Sequence, residues 1–438
     1  MYPHSVQPSP SSRSTALPSE LALIRAIRRQ AASISSRSLI QGIGDDCALL
    51  RPKPGYDLCV TTDFSLEGIH FRRDWHPPQS VGHRCLARGL SDLAAMGAEP
   101  LAVFLSLALP AGLPRTWLDG FLQGFFALAH RYRVPLAGGD TAQSPGSRND
   151  AKILADVVAI GQLPRNSARL RSTARPGDFL YVTGALGGSA AELLTLSTTP
   201  ANKRASVFRR HGPAALATAP AMKGHGSAAL ATASALKGHG SAALAIASAL
   251  KGHGFSRAIN ASKKKEALAP EESHPHLYPD PRLTLGRRLR PLVHAIIDIS
   301  DGLSTDLAHL CEESHIAADL DEALLPIHPL ALRRAFAEDL AWKGHDFSRA
   351  AGSRKRVRAL APEEFYPSPL HLALHGGEDY ELLFTAPPSA KIPRSIAGVP
   401  IHRIGAMRPR ARHQPPILLK THDGRRIPLP PAGWEHFR

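Results

Sequence analysis

The chain has 438 residues, 53 Lys and Arg against 37 Asp and Glu, a formal charge of +16 and 43% hydrophobic residues. That hydrophobic share excludes a globally disordered chain, and the longest apolar run, Leu101–Leu109, falls well short of the about 20 residues that span a bilayer. Four cysteines (Cys47, Cys59, Cys85, Cys311) form no CxxC pair and no metal spacing, and the first apolar stretch, Leu21–Ile27, contains Arg25 and lacks a cleavage site, so a reduced, cytoplasmic compartment is expected.

In chain order, residues 1–18 read as a flexible tail. Leu58–Thr62 reads as a strand, Ser80–Met96 and Arg115–Arg131 as helices, and Ile153–Gly161 as a strand again, each from its apolar period and its β-branched content. The turn Arg175–Asp178 punctuates the chain, so a first domain is expected to end near Pro164–Ser172. Strand Phe179–Thr183, helix Gly187–Leu196, strand Val293–Ile299, helix Gly302–Ser314 and strand Tyr380–Thr385 follow. The expected class is α/β of the α+β type, with two mixed-sheet domains, 19–166 and 167–438.

Two low-complexity insertions interrupt the second domain, at 199–273 and 342–365. Residues 211–252 repeat with period 14: HGPAALATAPAMKG, HGSAALATASALKG, HGSAALAIASALKG. Ala and Leu favour helix, but a Lys-Gly-His-Gly break closes each period and large apolar residues are missing, so a solenoid core is not expected. KGHGFSRAINASKKKEALAPEE from Lys251 returns as KGHDFSRAAGSRKRVRALAPEE from Lys343, as a sequence element tolerated in surface loops would. The first insertion holds 11 Lys and Arg against 3 acids and the second 6 against 3. Most of the positive charge therefore lies outside the remaining 321 or so residues. At most weak, non-specific nucleic-acid binding through the insertions is expected. An RNA-binding protein would need an aromatic platform that is absent from the sequence.

Chemistry concentrates in short acidic clusters beside Gly, Ser or Thr: Gly44-Asp45-Asp46, Thr61-Thr62-Asp63, Ser91-Asp92, Gly138-Gly139-Asp140-Thr141, Asp298-Ile299-Ser300-Asp301-Gly302 and Gly376-Gly377-Glu378-Asp379. Carboxylates with hydroxyl and carbonyl oxygens suit a hard cation such as Mg2+, which usually bridges to phosphate. Glycines let backbone N–H groups approach phosphate oxygens. Each cluster alone also fits a turn or a helix cap; six together point to metal–nucleotide binding. No Walker A loop, kinase H-R-D or D-F-G set or G-x-S-x-G elbow is present in the sequence, so another scaffold is implied.

GIGDDCALL (Gly42–Leu50), TTDFSLEGIHF (Thr61–Phe71), LSDLAAMGAEP (Leu90–Pro100), AGGDT (Ala137–Thr141), LRSTARPGDFLYVTG (Leu170–Gly184), IDISDGLSTDL (Ile297–Leu307), HGGEDYELLFT (His375–Thr385) and GWEHF (Gly433–Phe437) together resemble the thiamine-monophosphate kinase family, of the aminoimidazole ribonucleotide synthetase-like superfamily. The resemblance runs from about residue 42 to the C-terminus, interrupted only by the insertions. It implies ATP-dependent phosphorylation of thiamine monophosphate to thiamine diphosphate with several Mg2+ ions. It also implies a homodimer built through an N-terminal Mg/ATP-binding domain. By motif, metal positions fall on Asp46, Thr61, Thr62, Asp63, Asp92, Asp140, Asp298 and Asp301. ATP positions fall on Gly139, Asp140, Arg171 and Ser300, and substrate positions on His70, Glu378 and Trp434. Trp434 also fits a C-terminal core anchor, His70 a strand-end histidine, and Glu378 a turn carboxylate. No residue is implied as a general base; catalysis rests on positioning and charge neutralisation.

The sequence departs from the family pattern at Arg88-Gly89, where an Asn usually stands at position 89. A folded but inactive relative is one reading, given that departure and the insertions; a synthetase of the same superfamily acting on a purine intermediate is a separate rival. A selenophosphate synthetase or a carbamoyl-dehydrating hydrogenase-maturation enzyme is not expected, since each needs a terminal cysteine or selenocysteine segment not found here.

Overall fold

The computed structural model describes residues 20–147, 150–199, 274–333 and 367–434. The tail 1–18, the first insertion apart from Thr199, and all of the second lie outside the described residues. First in order come α1 (Glu20–Ala31), β1 (Leu39–Gln41), β2 (Leu49–Leu50), β3 (Tyr56–Leu66), α2 (Pro78–Ala95), β4 (Glu99–Leu109), α3 (Arg115–Tyr132), β5 (Leu136–Gln143) and β6 (Leu154–Pro164). Then come β7 (Phe179–Thr183), α4 (Gly188–Thr198), α5 (Leu283–Leu289), β8 (Ala295–Asp298), α6 (Leu303–Glu313), β9 (Ile316–Asp321), α7 (Pro369–His375), β10 (Leu382–Ala386), β11 (Ser395–Ile396), β12 (Val399–Pro409), β13 (Ile417–Lys420) and β14 (Arg426–Pro428).

Two mixed sheets result, as the α/β reading expects. One has four strands in the order β3-β6-β4-β5, with β4 parallel to β5 and antiparallel to β6. The other has eight strands, β14-β13-β9-β12-β7-β10-β8 with β11 paired to β12. In β4, Leu101, Val103, Leu105, Leu107 and Leu109 are buried while Phe104, Ser106 and Ala108 alternate to the other face, the period-2 signature of a sheet covered on one side.

Helices α2 and α3 supply that cover. Pro78 starts α2, where its missing N–H is no loss. The N–H of Gly97 bonds the Ala94 carbonyl and that of Ala98 the Leu93 carbonyl, a Schellman end in which Gly97 takes φ +65. Leu86, Leu90, Leu93, Phe121 and Phe125 are fully buried, each contributing about 1.5–3 kcal/mol by leaving water. The two helices nearly touch: a Cβ at Gly82 would lie 1.9 Å from the Phe121 carbonyl oxygen, and one at Gly124 1.8 Å from that of Gln79. Any side chain at either position forces the layer apart.

The other face of the four-stranded sheet is open along β3, where Leu58, Val60 and Phe64 stand 51%, 64% and 53% exposed. Among the described residues no helix is long and apolar enough to cross a membrane.

Candidate active site

Helix α2 carries a polar stripe through an otherwise apolar surrounding. Ser80, Arg84, Arg88 and Asp92 recur every four residues, so they share one face, and Ser80 and Arg84 are buried. The stripe faces the loop after β8 and the loop before β10. Those loops are zipped together: Glu378 N–H donates to Ser300 O at 2.7 Å, Tyr380 N–H to Ile299 O at 2.9 Å and Ile299 N–H to Glu381 O at 2.8 Å. Between them lies a cavity of about 510 Å3, lined among others by Asp63, Asp92, Asp298, Ser300, Asp301, His70, Glu378 and Trp434. Every substrate position expected from the sequence therefore sits on one cavity with part of the metal set.

Asp63 on β3, Asp92 on α2 and Asp298 at the end of β8 form an acidic wall. Thr61 Oγ1 donates to Asp92, and Ser91 Oγ donates to Asp298 at 2.7 Å. Burial first, then the neighbouring Asp92 carboxylate, pushes Asp63 up to about 6 against the partial relief of Arg88. The same two causes push Asp298 up to about 7, while Ser91 and Arg171 lower it. Burial also raises Asp92. Three carboxyls that resist ionising side by side, with hydroxyl oxygens beside them, are a donor set that fits a hard divalent cation. Asp301, Asp306 and His309 also bring one ligand atom each within 4.8 Å of one another. Asp306, however, accepts the N–H groups of Asp301 at 3.1 Å and Gly302 at 3.0 Å and so braces the turn into α6.

The structure divides the rest of the metal set. Strand alternation sends Thr61 and Asp63 to the α2 side and Thr62 to the open face, where Thr62 Oγ1 donates to Asp156 at 2.8 Å. Asp156 pairs with Phe64 and Ser106, and Ser106 with Asp140, so Asp156 and Asp140 lie in one row across the open face. Asp46, beside Asp45 whose carboxylate accepts its N–H at 2.9 Å, is exposed. Asp46, Gly139 and Asp140 are not among the cavity residues. Arg171 is outside the lining too, yet near enough to lower Asp92 and Asp298; its carbonyl accepts from Ser314 Oγ at 2.5 Å.

On the substrate side, His70 Nδ1 accepts the Leu66 N–H at 3.0 Å, which leaves the proton on Nε2. Glu378 has φ +65, a left-handed backbone that a non-glycine residue adopts only when held there. Arg84 Nη2 donates to Glu378 Oε1 at 2.5 Å, and His276 Nδ1 lies 3.3 Å from Oε2. Burial alone would raise Glu378, but Arg84 and His276 outweigh it and hold the carboxyl well below the usual range. His276 is itself buried and kept neutral by burial and by Arg84. It contacts His76 at 2.9 Å, Arg84 at 2.8 Å and Ser189 at 3.0 Å. Trp434 hangs on a C-terminal strap: its N–H donates to Asp301 O at 3.1 Å and the Gly433 N–H to Thr305 Oγ1 at 3.0 Å. Trp434 is 54% exposed, which disfavours the core-anchor reading.

Arg84, Arg88, His76, His276, Trp75 and Asp156 belong to these surroundings and were not drawn from the sequence. The four-residue recurrence of Arg84, Arg88 and Asp92 was the available signal for two of them. For His276, which lies 200 positions from its partner His76, no local pattern exists.

Residues 44–163 match the family model of the AIR synthase related protein, N-terminal domain. The thiamine-monophosphate kinase of Escherichia coli strain K12 is 32% identical over 401 residues, covering 90% of this chain and 91% of that protein. The crystal structure of thiamine-monophosphate kinase from Stenotrophomonas maltophilia K279a is similar at 29% identity and a TM-score of 0.58, over 93% of this chain and 98% of that one. A structure described as AaThiL complexed with AMPPCP and TMP shares the fold at 24% identity and a TM-score of 0.56, over 95% and 97% of the two chains.

Proposed function

The chain belongs to the thiamine-monophosphate kinase family, and we propose that it transfers the γ-phosphoryl group of ATP to thiamine monophosphate, giving thiamine diphosphate and ADP in thiamine diphosphate biosynthesis. The observation that carries this reading is the convergence of Asp63, Asp92 and Asp298 with Glu378, His70 and Trp434 on one cavity.

A phosphate oxygen of the acceptor forms a bond to the γ-phosphorus. The bond from that phosphorus to the β–γ bridging oxygen breaks, and its electron pair leaves with ADP. The acceptor is already an anion, so no strong base is needed, and the work lies in bringing polyanions together in line. Magnesium, when bound, supplies neutralisation and alignment of the phosphates; Asp63, Asp92 and Asp298 would hold it, with Asp301 and Thr61 beside them. Ser300 and Arg171 serve the nucleotide. Ionised Glu378 accepts from the exocyclic amine of the pyrimidine, the His70 Nε2–H donates to the substrate, and Trp434 stacks on a ring.

In this reading residues 19–166 form the Mg/ATP-binding domain and a homodimer packs their open sheet faces together. The exposed Leu58, Val60 and Phe64 support it, and a second copy would cover the remaining polar positions Thr62, Gly139 and Asp140. Asp46 belongs to the same group of metal positions. The enzyme works in the cytoplasm.

Incubation with ATP, Mg2+ and either thiamine monophosphate or free thiamine tests the activity. Turnover of the monophosphate is expected; equal or faster turnover of free thiamine refutes it.

A further inference from the structure

We propose that Arg88 is a phosphate-binding residue of this enzyme, its guanidinium receiving the phosphate group of thiamine monophosphate between the acidic wall and Glu378. The proposal rests on the activity proposed above.

Arg88 projects from α2 one turn after Arg84 and one turn before Asp92, and it lines the cavity. Its side chain is 16% exposed, and its ion pair is a single long one, Nη2 to Asp63 Oδ1 at 3.4 Å. Its Nε is buried with no hydrogen-bond partner among the described residues. Arg84 Nε is likewise without a partner, but the two terminal nitrogens of Arg84 are held by Glu378 and His276 at 2.5 and 2.8 Å. A buried donor without an acceptor is costly, and native structures rarely leave one so. Among the buried atoms without a partner, Arg88 Nε belongs to a residue on the cavity wall, where an entering anion supplies an acceptor. A guanidinium keeps its charge and presents adjacent N–H groups that match two oxygens of one phosphate. Arg88 thus supplies the cation that an acidic wall lacks when an anionic acceptor must approach it.

The neighbours decide which phosphate. Arg88 reaches Asp63 at 3.4 Å and shares the cavity wall with Glu378 and Tyr380. All three expected substrate positions, His70, Glu378 and Trp434, share this cavity with Arg88, whereas Arg171 is not part of its lining. The departure from the family pattern follows as well. A Cβ at Gly89 would meet Ala159 Cβ at 3.2 Å and Thr61 Cγ2 at 3.9 Å, so position 89 faces the sheet. The polar group next to Ser91-Asp92 stands at 88 here instead, and it faces the cavity.

The test uses the full chain with Arg88→Met and Arg88→Lys. Titrations of thiamine monophosphate and of free thiamine are followed by tryptophan fluorescence, since Trp75 and Trp434 line the cavity. Arg88→Met is expected to weaken thiamine monophosphate binding, and to raise its KM, by roughly 10- to 100-fold, the loss of one or two charge-assisted hydrogen bonds. Free thiamine binding and the KM for ATP should stay unchanged, and Arg88→Lys should recover part of the loss. Undiminished thiamine monophosphate affinity in Arg88→Met overturns the proposal. So does a rise in the KM for ATP alone, which would assign Arg88 to the nucleotide. If the wild type binds thiamine monophosphate but does not phosphorylate it, the kinase reading fails, while the titrations still decide the role of Arg88.

Discussion

Replacing Asp63 with asparagine should stabilise the metal-free protein while abolishing phosphoryl transfer. Asp63 is raised from 3.8 to about 6, net of its contact with Arg88, a shift worth about 3 kcal/mol at about 1.4 kcal/mol per unit. The folded protein therefore holds a proton on Asp63 up to about pH 6, whereas the unfolded chain releases it near pH 4. Folded molecules bind more protons across that window, so their stability falls as pH rises through it and the full penalty stands at neutral pH. Asp298, raised to about 7, acts in the same direction and extends the window upward. Asparagine carries no charge to desolvate. In EDTA near pH 7 the variant should melt several degrees above the wild type, and near pH 4 the difference should vanish. Adding Mg2+ should raise the melting temperature of the wild type and do little for the variant. Scanning calorimetry across pH, with and without Mg2+, reads all of these. A variant that melts below the wild type in EDTA, or a wild-type advantage that grows from pH 5 to pH 7, would contradict the crowded-carboxylate account.

Gly124→Ala should destabilise the fold by at least about 2 kcal/mol in a denaturant titration, because its Cβ would sit 1.8 Å from the Gln79 carbonyl oxygen. Arg84→Met should cost about 3–5 kcal/mol by leaving Glu378 and His276 without their shared donor, and it should raise the KM for thiamine monophosphate more than the KM for ATP. Phe64→Asp together with Val60→Asp, both on the open face of β3, should shift the mass in sedimentation from dimer to monomer while leaving the circular dichroism spectrum unchanged.

The elements most legible in the sequence were those whose pattern is local. α2 and α3 were expected within two residues of their observed ends because an amphipathic period and a proline or glycine boundary mark each. β7 was read at its observed ends from its β-branched and aromatic residues. β4 was visible only as an apolar run, because Phe104 and Ala108 on its less buried face are apolar as well and mask the alternation that its burial shows. β12 was missed because Arg403, Gly405 and Arg408 break any period, and its pairing with β7 and β9 is a long-range decision. At the site, the resemblance to the family's motifs pointed to Asp63, Asp92, Asp298 and Glu378, which the structure brings to one cavity. It could not tell that Thr62 and Asp63, adjacent in sequence, face opposite sides of one sheet. Nor could it find His276, whose partners come from α2, α4 and the Glu378 loop.

The most direct test of the central claim is phosphorus NMR of the full chain incubated with ATP, Mg2+ and thiamine monophosphate. The account predicts that the monoester signal declines as a diphosphate ester grows, with one ADP formed per thiamine diphosphate. A persistent monoester signal, or ATP consumed to ADP and inorganic phosphate with no diphosphate ester, would contradict it.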